Sequence, residues 1–241
     1  MSTTTVDVDA PPRVTPALLR WADSMCPRRL AGLHADKRGN RSPDVRFRVA
    51  NRVFDSARLA HLDLAVPSLD AFSADAGLEP EELAAYEAAA RWYVALFGER
   101  AVRAVDLDDW ESTVPEVGVR LVGPGGLPVE DERGRREVRI LRVGSRRAEP
   151  GDPLASIEGR FAVLRVADWA AGASLRLVVA DLINGALAES EIDVDDVVHG
   201  ELRPWLAARV AVIRERAAAP TARPGMECAH CPFVAGCAAH A

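Results

Sequence analysis

Four cysteines constrain this chain more than any other feature. Three of them, Cys228, Cys231 and Cys237, stand in the closing run ECAHCPFVAGCAAH, and the fourth, Cys26, lies about 200 residues upstream. The opening MSTTTVDVDAPPRVTP has no basic start and no apolar run. No segment approaches the roughly 18 apolar residues that a spanning helix needs, so the expectation is a cytoplasmic protein with no membrane partner. Disulfides are rarely kept in that compartment, and clustered thiols there point to metal binding or catalysis. A spacing of Cys-x2-Cys-x5-Cys suits zinc or an iron–sulfur cluster. Three thiolates leave one position open. Cys26 fills it if the chain ends meet; His230 or His240 fills it in a Cys3His zinc site.

The charge distribution bears on partners more than the net charge of −6 does. Nine basic residues against three acidic ones lie between Arg28 and Arg58, and seven arginines against the single Glu137 lie between Arg133 and Arg147. Stretches of this kind suit a phosphate backbone, although a solvated arginine-rich surface has the same composition.

Along the chain, residues 1–14 read as a disordered arm and 15–241 as one domain ending in the cysteine segment 225–241. Thr15-Pro16 opens a short helix. Gly32 to Asp44 reads as a loop. Residues 45–64 place Val49, Val53, Leu59 and Leu62 at helical spacing. Pro80 and Gly98 bracket a helix of strong helix formers. The period then changes: VGVRLVG (117–123) and REVRILRVG (136–144) read as a β-hairpin. Asp152-Pro153 opens a further helix with Phe161 and Leu164 on its apolar stripe, and Asn184-Gly185 marks a second hairpin. A last helix covers 195–218. The fold class is α/β, a central mixed sheet flanked by helices.

Cys26-Pro27-Arg28-Arg29 after an N-terminal helix, with Gly225-x2-Cys228-x2-Cys231-x5-Cys237 at the other end, resembles the iron–sulfur branch of the PD-(D/E)XK nuclease superfamily. That branch includes CRISPR-associated adaptation exonucleases, AddB-type nuclease domains and other RecB-like nucleases. The resemblance implies a restriction-endonuclease-type core. It also implies a 4Fe–4S cluster on Cys26, Cys228, Cys231 and Cys237 that joins the chain ends, with zinc as the alternative.

The same resemblance implies a Gly-x-x-Asp and an (Asp/Glu)-x-Lys on neighbouring strands, a histidine on a preceding helix and a Gln-x-x-x-Tyr helix after. Here Gly118 to Leu121 stands for the first motif, with Leu121 in place of the aspartate. Ile140-Leu141-Arg142 stands for the second, with Ile140 in place of the acid and Arg142 in place of the lysine. Phe54 falls near the histidine, and Arg160 and Leu164 at the glutamine and tyrosine. Aliphatic side chains do not bind Mg²⁺ and an arginine does not act as a base, so the expectation is a degenerate site without magnesium. The leading expectation is therefore a catalytically inactive, cluster-bearing protein that binds DNA, single-stranded or at ends, or a protein partner in a DNA-processing complex. Arg28, Arg29, Arg139 and Arg142 are its candidate phosphate contacts. One alternative is an active metal-dependent exonuclease with carboxylates displaced to Glu116, Glu130, Glu137 or Asp168. The other is a protein–protein scaffold that touches no nucleic acid.

Overall fold

A computed structural model describes residues 11–34, 45–72, 78–107, 111–123, 125–143, 151–219 and 221–222, with the tail cysteines 228, 231 and 237. In chain order the elements are β1 (Arg13–Val14), α1 (Pro16–Trp21), α2 (Pro27–His34), α3 (Val45–Leu59), α4 (Pro80–Phe97), β2 (Val102–Ala104), β3 (Glu111–Val114), β4 (Val119–Val122), β5 (Leu127–Asp131), β6 (Arg136–Arg142), α5 (Ile157–Ala170), β7 (Ser174–Asp181), β8 (Ala186–Asp193), α6 (Val194–Val197) and α7 (Arg203–Ala218). A π-helical turn, Val198–Leu202, runs α6 into α7.

Local chemistry sets the helix starts. The Thr15 hydroxyl accepts from the Leu18 amide at 3.2 Å, and Pro16 follows at the first helical position, where no amide hydrogen is needed. Ser156 caps α5 by accepting from the Gly159 amide at 2.9 Å. At the start of α4 the Glu82 carboxylate reaches back to the Glu79 amide at 3.0 Å.

The chain divides into two compact units where the sequence suggests one domain. The terminal unit comprises Met1–Arg41, Glu111–Gly123 and Trp205–Ala241. It holds a three-stranded sheet in the order β1-β4-β3, with β1 parallel to β4. Arg13 and Val14 therefore belong to a sheet, a departure from the disordered arm read over 1–14: Val14 is fully buried. Residues 1–10 lie outside the described residues.

The sheet unit, Ser42–Trp110 and Pro124–Pro204, holds a five-stranded mixed sheet in the order β2-β5-β6-β7-β8. Strands β2, β5 and β6 run antiparallel in turn, α5 connects β6 to the parallel β7, and β8 returns antiparallel. Side chains alternate across the pleat, so each strand serves two faces. On one face Leu127, Val129, Val178 and Ala180 meet Val53 and Ala57 of α3 and Tyr86, Tyr93 and Phe97 of α4. The opposite parity, Val138, Ile140, Leu177 and Val179, is equally buried. On that side α5 packs over β6 and β7. Burying each large apolar side chain contributes roughly 1.5–3 kcal/mol.

The turn read at Asn184-Gly185 closes β7 onto β8, with Asp181 opposite Ala186. The Asp181 carboxylate accepts from the Ile183 amide and the Asn184 side chain, at 2.9 and 2.8 Å. Gly185 takes φ +66°, and a Cβ there would lie 2.3 Å from the Trp92 ring, so both backbone and space demand glycine. The helix over 45–64 ends earlier than its apolar spacing suggests: α3 stops at Leu59, and Leu59 and Leu62 are exposed.

Candidate functional site

The first correction concerns the hairpin. β4 and β6, read from sequence as partners, belong to different sheets and different compact units. The strand that pairs with β6 is β5, in the register Leu127↔Arg139 and Val129↔Glu137. Leu121 is therefore not on a strand paired with that of Ile140. It is fully buried in the three-stranded sheet, opposite Val14 and Ser112. The glycine-led segment beside β6 is Gly126-Leu127-Pro128-Val129, and it carries no carboxylate. Gly126 itself, at φ +111°, packs against Val138 and Ile140.

Pro128 explains why this strand escaped the sequence reading, since proline demotes a candidate strand. Its carbonyl accepts from the Val105 amide at 2.9 Å. In extended backbone a residue's nitrogen and carbonyl face the same side, so its missing donor points past the end of β2 and not at β6.

A pocket of about 30 Å³ opens where β5 begins, lined among others by Phe54 and Arg58 of α3, Asp106, Gly126, Pro128, and Arg165 of α5. Phe54 thus lies beside β5, and the position read in place of the family's histidine lines this pocket. Its charged lining residues are Arg58, Arg165 and Asp106. Arg58 reaches Asp106 at 3.2 Å, and the Asp106 side chain is 88% exposed. Arg165 is only 8% exposed, and a Cβ on Gly125 would lie 2.8 Å from its stem. The absence of that Cβ is what lets the entry of β5 approach α5 so closely. Arg58 closes the first basic stretch but was not singled out as a contact, and Arg165 was not noted; the available signal was their place on α3 and α5.

Arg139, read as a phosphate contact, is fully buried. Its Nε donates to Glu137 Oε1 at 2.5 Å and its Nη1 to the Tyr93 hydroxyl at 2.8 Å, while the Phe97 ring lies 4.1 Å from the guanidinium carbon. A guanidinium so enclosed does not meet a solvent-borne phosphate, and that assignment is withdrawn. Glu137 also accepts from Arg100 at 2.8 Å and from Arg176 at 2.7 Å. Burial acts to raise its carboxyl pKa, but Arg139 foremost, with Arg176 and Arg100, outweighs burial and holds it below the usual range.

His61 completes this network and was not singled out from sequence. Its Nε2 lies 2.9 Å from the Tyr93 hydroxyl and 3.1 Å from Arg139 Nη1. Arg139 has only donors, so His61 Nε2 is the acceptor and the ring is neutral. Burial first, then the Arg139 charge, pushes its pKa down to about 4. The legible signal was Glu137-x-Arg139, two opposite charges on one face of a strand.

Of the other arginines, Arg28 and Arg29 sit half-buried on α2. Arg142 ends β6 opposite Asp181. Of the displaced carboxylates, Glu137 is held by three guanidiniums. Glu130 stands opposite Arg136 in the pairing, four residues from the Ile140 position, which is about 13 Å along a strand.

None of the four cysteines is in a disulfide, and all are half-buried. The Cys231 amide donates to the Cys228 carbonyl at 3.1 Å, closing the Cys-x2-Cys turn. Cys26 immediately precedes α2, and its carbonyl accepts the Leu30 amide at 2.9 Å. All four lie in the terminal unit. Within that unit, α7 is tied to the α1–α2 junction. Arg209 donates to the Leu19 carbonyl at 2.5 Å, and Arg216 donates to the carbonyls of Ala22 and of Met25, the latter at 2.7 Å. The residue after Met25 is Cys26. Cys228 lies ten positions after Ala218, a reach of up to roughly 33 Å. Among the described residues, no group of three or more His, Cys, Asp or Glu side chains is gathered closely enough to hold a metal ion. His230, His240, Gly144 and Gly225 lie outside the described residues. The donor set, four thiols in one compact unit, fits a four-sulfur site in chemistry; the side chains are not drawn together as a closed site.

No protein-family model matches the chain, and no curated protein matches it. No described helix is long and apolar enough to cross a membrane.

Proposed function

We propose that this protein is a PD-(D/E)XK nuclease-like protein of the iron–sulfur branch that has lost its catalytic metal site and binds DNA. The observation that carries the reading is the hairpin β5–β6 and its pocket. In this reading the (Asp/Glu)-x-Lys strand is β6, and Ile140 and Arg142 stand at its motif positions. The neighbouring strand offers Gly126 to Val129. The wall beside them is supplied by Phe54, Arg58 and Arg165 in place of carboxylates and a lysine. A mixed sheet with helices on both faces supports the same reading. Cys26, Cys228, Cys231 and Cys237 would hold the 4Fe–4S cluster, which acts as a staple between the chain ends. Arg216 and Arg209, anchored to the segment just before Cys26, support that joining.

The chemistry left to such a site is recognition. Arginines bind phosphate through charge-assisted, bidentate hydrogen bonds and need no metal to do so. Arg28, Arg29 and Arg142 remain the surface contacts in this proposal. The protein is expected to bind single-stranded DNA with an affinity that falls as salt rises, and to leave labelled ends intact with Mg²⁺ or Mn²⁺. Metal-dependent cleavage by the unmodified protein would overturn the loss of catalysis. Binding that is absent at low salt would leave a protein–protein scaffold as the better reading. Purified protein should contain about four irons and four sulfides per chain; one zinc per chain and no sulfide would remove the cluster.

A further inference from the structure

We infer that the protein pairs with a second copy of itself along the strand edge at residues 64–66, with Leu64 of each copy opposite Val66 of the other. Ala65 lies beyond β2, at one end of the five-stranded sheet, and exchanges both backbone hydrogen bonds with Val102, at 3.3 and 3.2 Å. A trans peptide turns its carbonyl and its amide to opposite sides. The Leu64 carbonyl and the Val66 amide, which flank Ala65, therefore point away from β2. Neither has a backbone hydrogen-bond partner among the described residues. The Leu64 and Val66 side chains are 48% and 49% exposed. Neighbours in an extended chain alternate across the pleat, so both stand on the face opposite Ala65. Leu59, Leu62 and Leu69 are exposed in the same segment.

The two edges of this sheet differ. β8 alternates Glu189, Glu191 and Asp193 along its exposed face, a charge pattern that blunts an edge against pairing. The run Leu64-Ala65-Val66 carries no charge at all. Leu59, Leu62, Leu64, Val66 and Leu69, each about half in solvent, expose on the order of 400 Å², a size at which apolar surface marks an interaction site. Facing its own copy, that area supplies the dry centre of the roughly 800 Å² per partner that a standard interface buries. The geometry favours a copy over an unrelated segment. A two-fold axis at Ala65 makes an antiparallel pair in which each Val66 amide donates to the Leu64 carbonyl of the other copy. The same axis sets Leu64 against Val66 on both of its sides, so the aliphatic side chains close on one face. The rim carries both signs, exposed Asp63 and Asp70 with exposed Arg103, so the patch meets its image without uniform repulsion.

The test is analytical sedimentation of the full chain. The wild type should be a dimer that dissociates on dilution through the micromolar range. Leu64→Lys and Val66→Glu each place a charge among aliphatic groups at the pairing, and each should raise the dissociation constant at least about hundredfold. Both positions are half in solvent, so the variants keep the folded monomer, checked by an unchanged circular dichroism spectrum. The double variant, Leu64→Lys with Val66→Glu, sets the new lysine of one copy opposite the new glutamate of the other on both sides of the axis. It should restore most of the lost affinity. Rescue of this kind reads the register, and general apolar adhesion does not produce it. A wild-type chain that stays monomeric at about 100 μM leaves the edge to a different protein and overturns the inference. A dimer that survives either single substitution overturns it too, as does a double variant that stays as weak as the singles.

Discussion

The two compact units use arginine in opposite ways. In the sheet unit the central arginine is fully buried, and its partners are side chains: Glu137, Tyr93 and His61 around Arg139, with Arg100 and Arg176 closing on the same carboxylate. In the terminal unit arginines reach for backbone carbonyls far away in sequence. Arg120 donates to Pro11, Arg209 to Leu19, Arg214 to Val117 and Gly118, and Arg216 to Ala22 and Met25. The first arrangement is a buried ionic network, where removing one member strands the others. The second is a set of stitches among the three chain segments of the terminal unit, each replaceable singly at modest cost. A unit with a large sheet core can bury charge against charge. The terminal unit buries fewer apolar side chains, Val14, Leu19, Leu121 and Ile213 among them, and adds long-range contacts of this kind.

The largest effect should follow from Glu137→Ala. It leaves Arg139 without its carboxylate in a fully buried site, and a stranded buried charge costs about 3–5 kcal/mol. Urea unfolding of the sheet unit should show that loss. The double variant Glu137→Leu with Arg139→Met should recover most of it, since apolar groups of similar size often replace a buried pair at little cost. A loss below about 1 kcal/mol in the single variant would mean that the network is not what organises this unit.

Acid should separate the units next. The His61 pKa is lowered from 6.5 in the unfolded chain to about 4 in the fold, so the folded ring is neutral where the unfolded ring is charged. The stability this represents is complete above pH 6.5 and is lost as pH falls toward 4. Glu137, held below its usual range, adds a second loss of the same sign at lower pH. The His61 contribution amounts to roughly 3 kcal/mol. Hydrogen exchange between pH 7 and 4.5 should show the sheet unit weakening. His61→Gln, whose amide oxygen still accepts from Arg139, should flatten that dependence. An unchanged pH profile in this variant would assign the acid sensitivity to another group.

Much of the sheet unit was legible because its signals are local. Pro80 and Gly98 bound α4, Asn184-Gly185 forces the β7–β8 turn, and the helix read from Asp152-Pro153 is α5, although it starts a few residues later behind Ser156. The partner of β6 was not legible. Both 119–122 and 127–131 are short apolar strands led by glycine, and tertiary packing chooses between them; Pro128 then disguised the true partner. His61 and Tyr93 carry no sequence signal of their meeting, 32 residues apart and joined only by the fold. At the terminal unit the four cysteines were evident at once. The arginine stitches were not, because a side chain that binds a distant carbonyl leaves no spacing to read. The basic stretches suggested phosphate contacts, and at Arg139 that inference failed because alternation along a strand decides which charges face the core.

The smallest effect is also the one that tests whether the stitches and the cysteines do the same work. Arg216→Met removes two donors from the carbonyls of Ala22 and Met25 but keeps much of the apolar stem. Hydrogen bonds from a charged group are worth about 1.5–3 kcal/mol where the carbonyl is left unsatisfied, and less where water replaces the donor. These carbonyls lie at the half-buried end of a short helix, so about 1 kcal/mol is expected, read as faster amide exchange in α1 and α2 with the sheet unit unchanged. If a cluster on Cys26 and the tail cysteines joins the same ends, it already supplies the constraint, and Arg216→Met should be nearly silent while the cluster is present. In the Cys26→Ser background the same substitution should show its full cost. That difference is a coupling energy, measurable by a double-mutant cycle. Strict additivity would mean that the arginine stitches and the cysteines hold separate parts of the terminal unit, and that Cys26 is not joined to the tail.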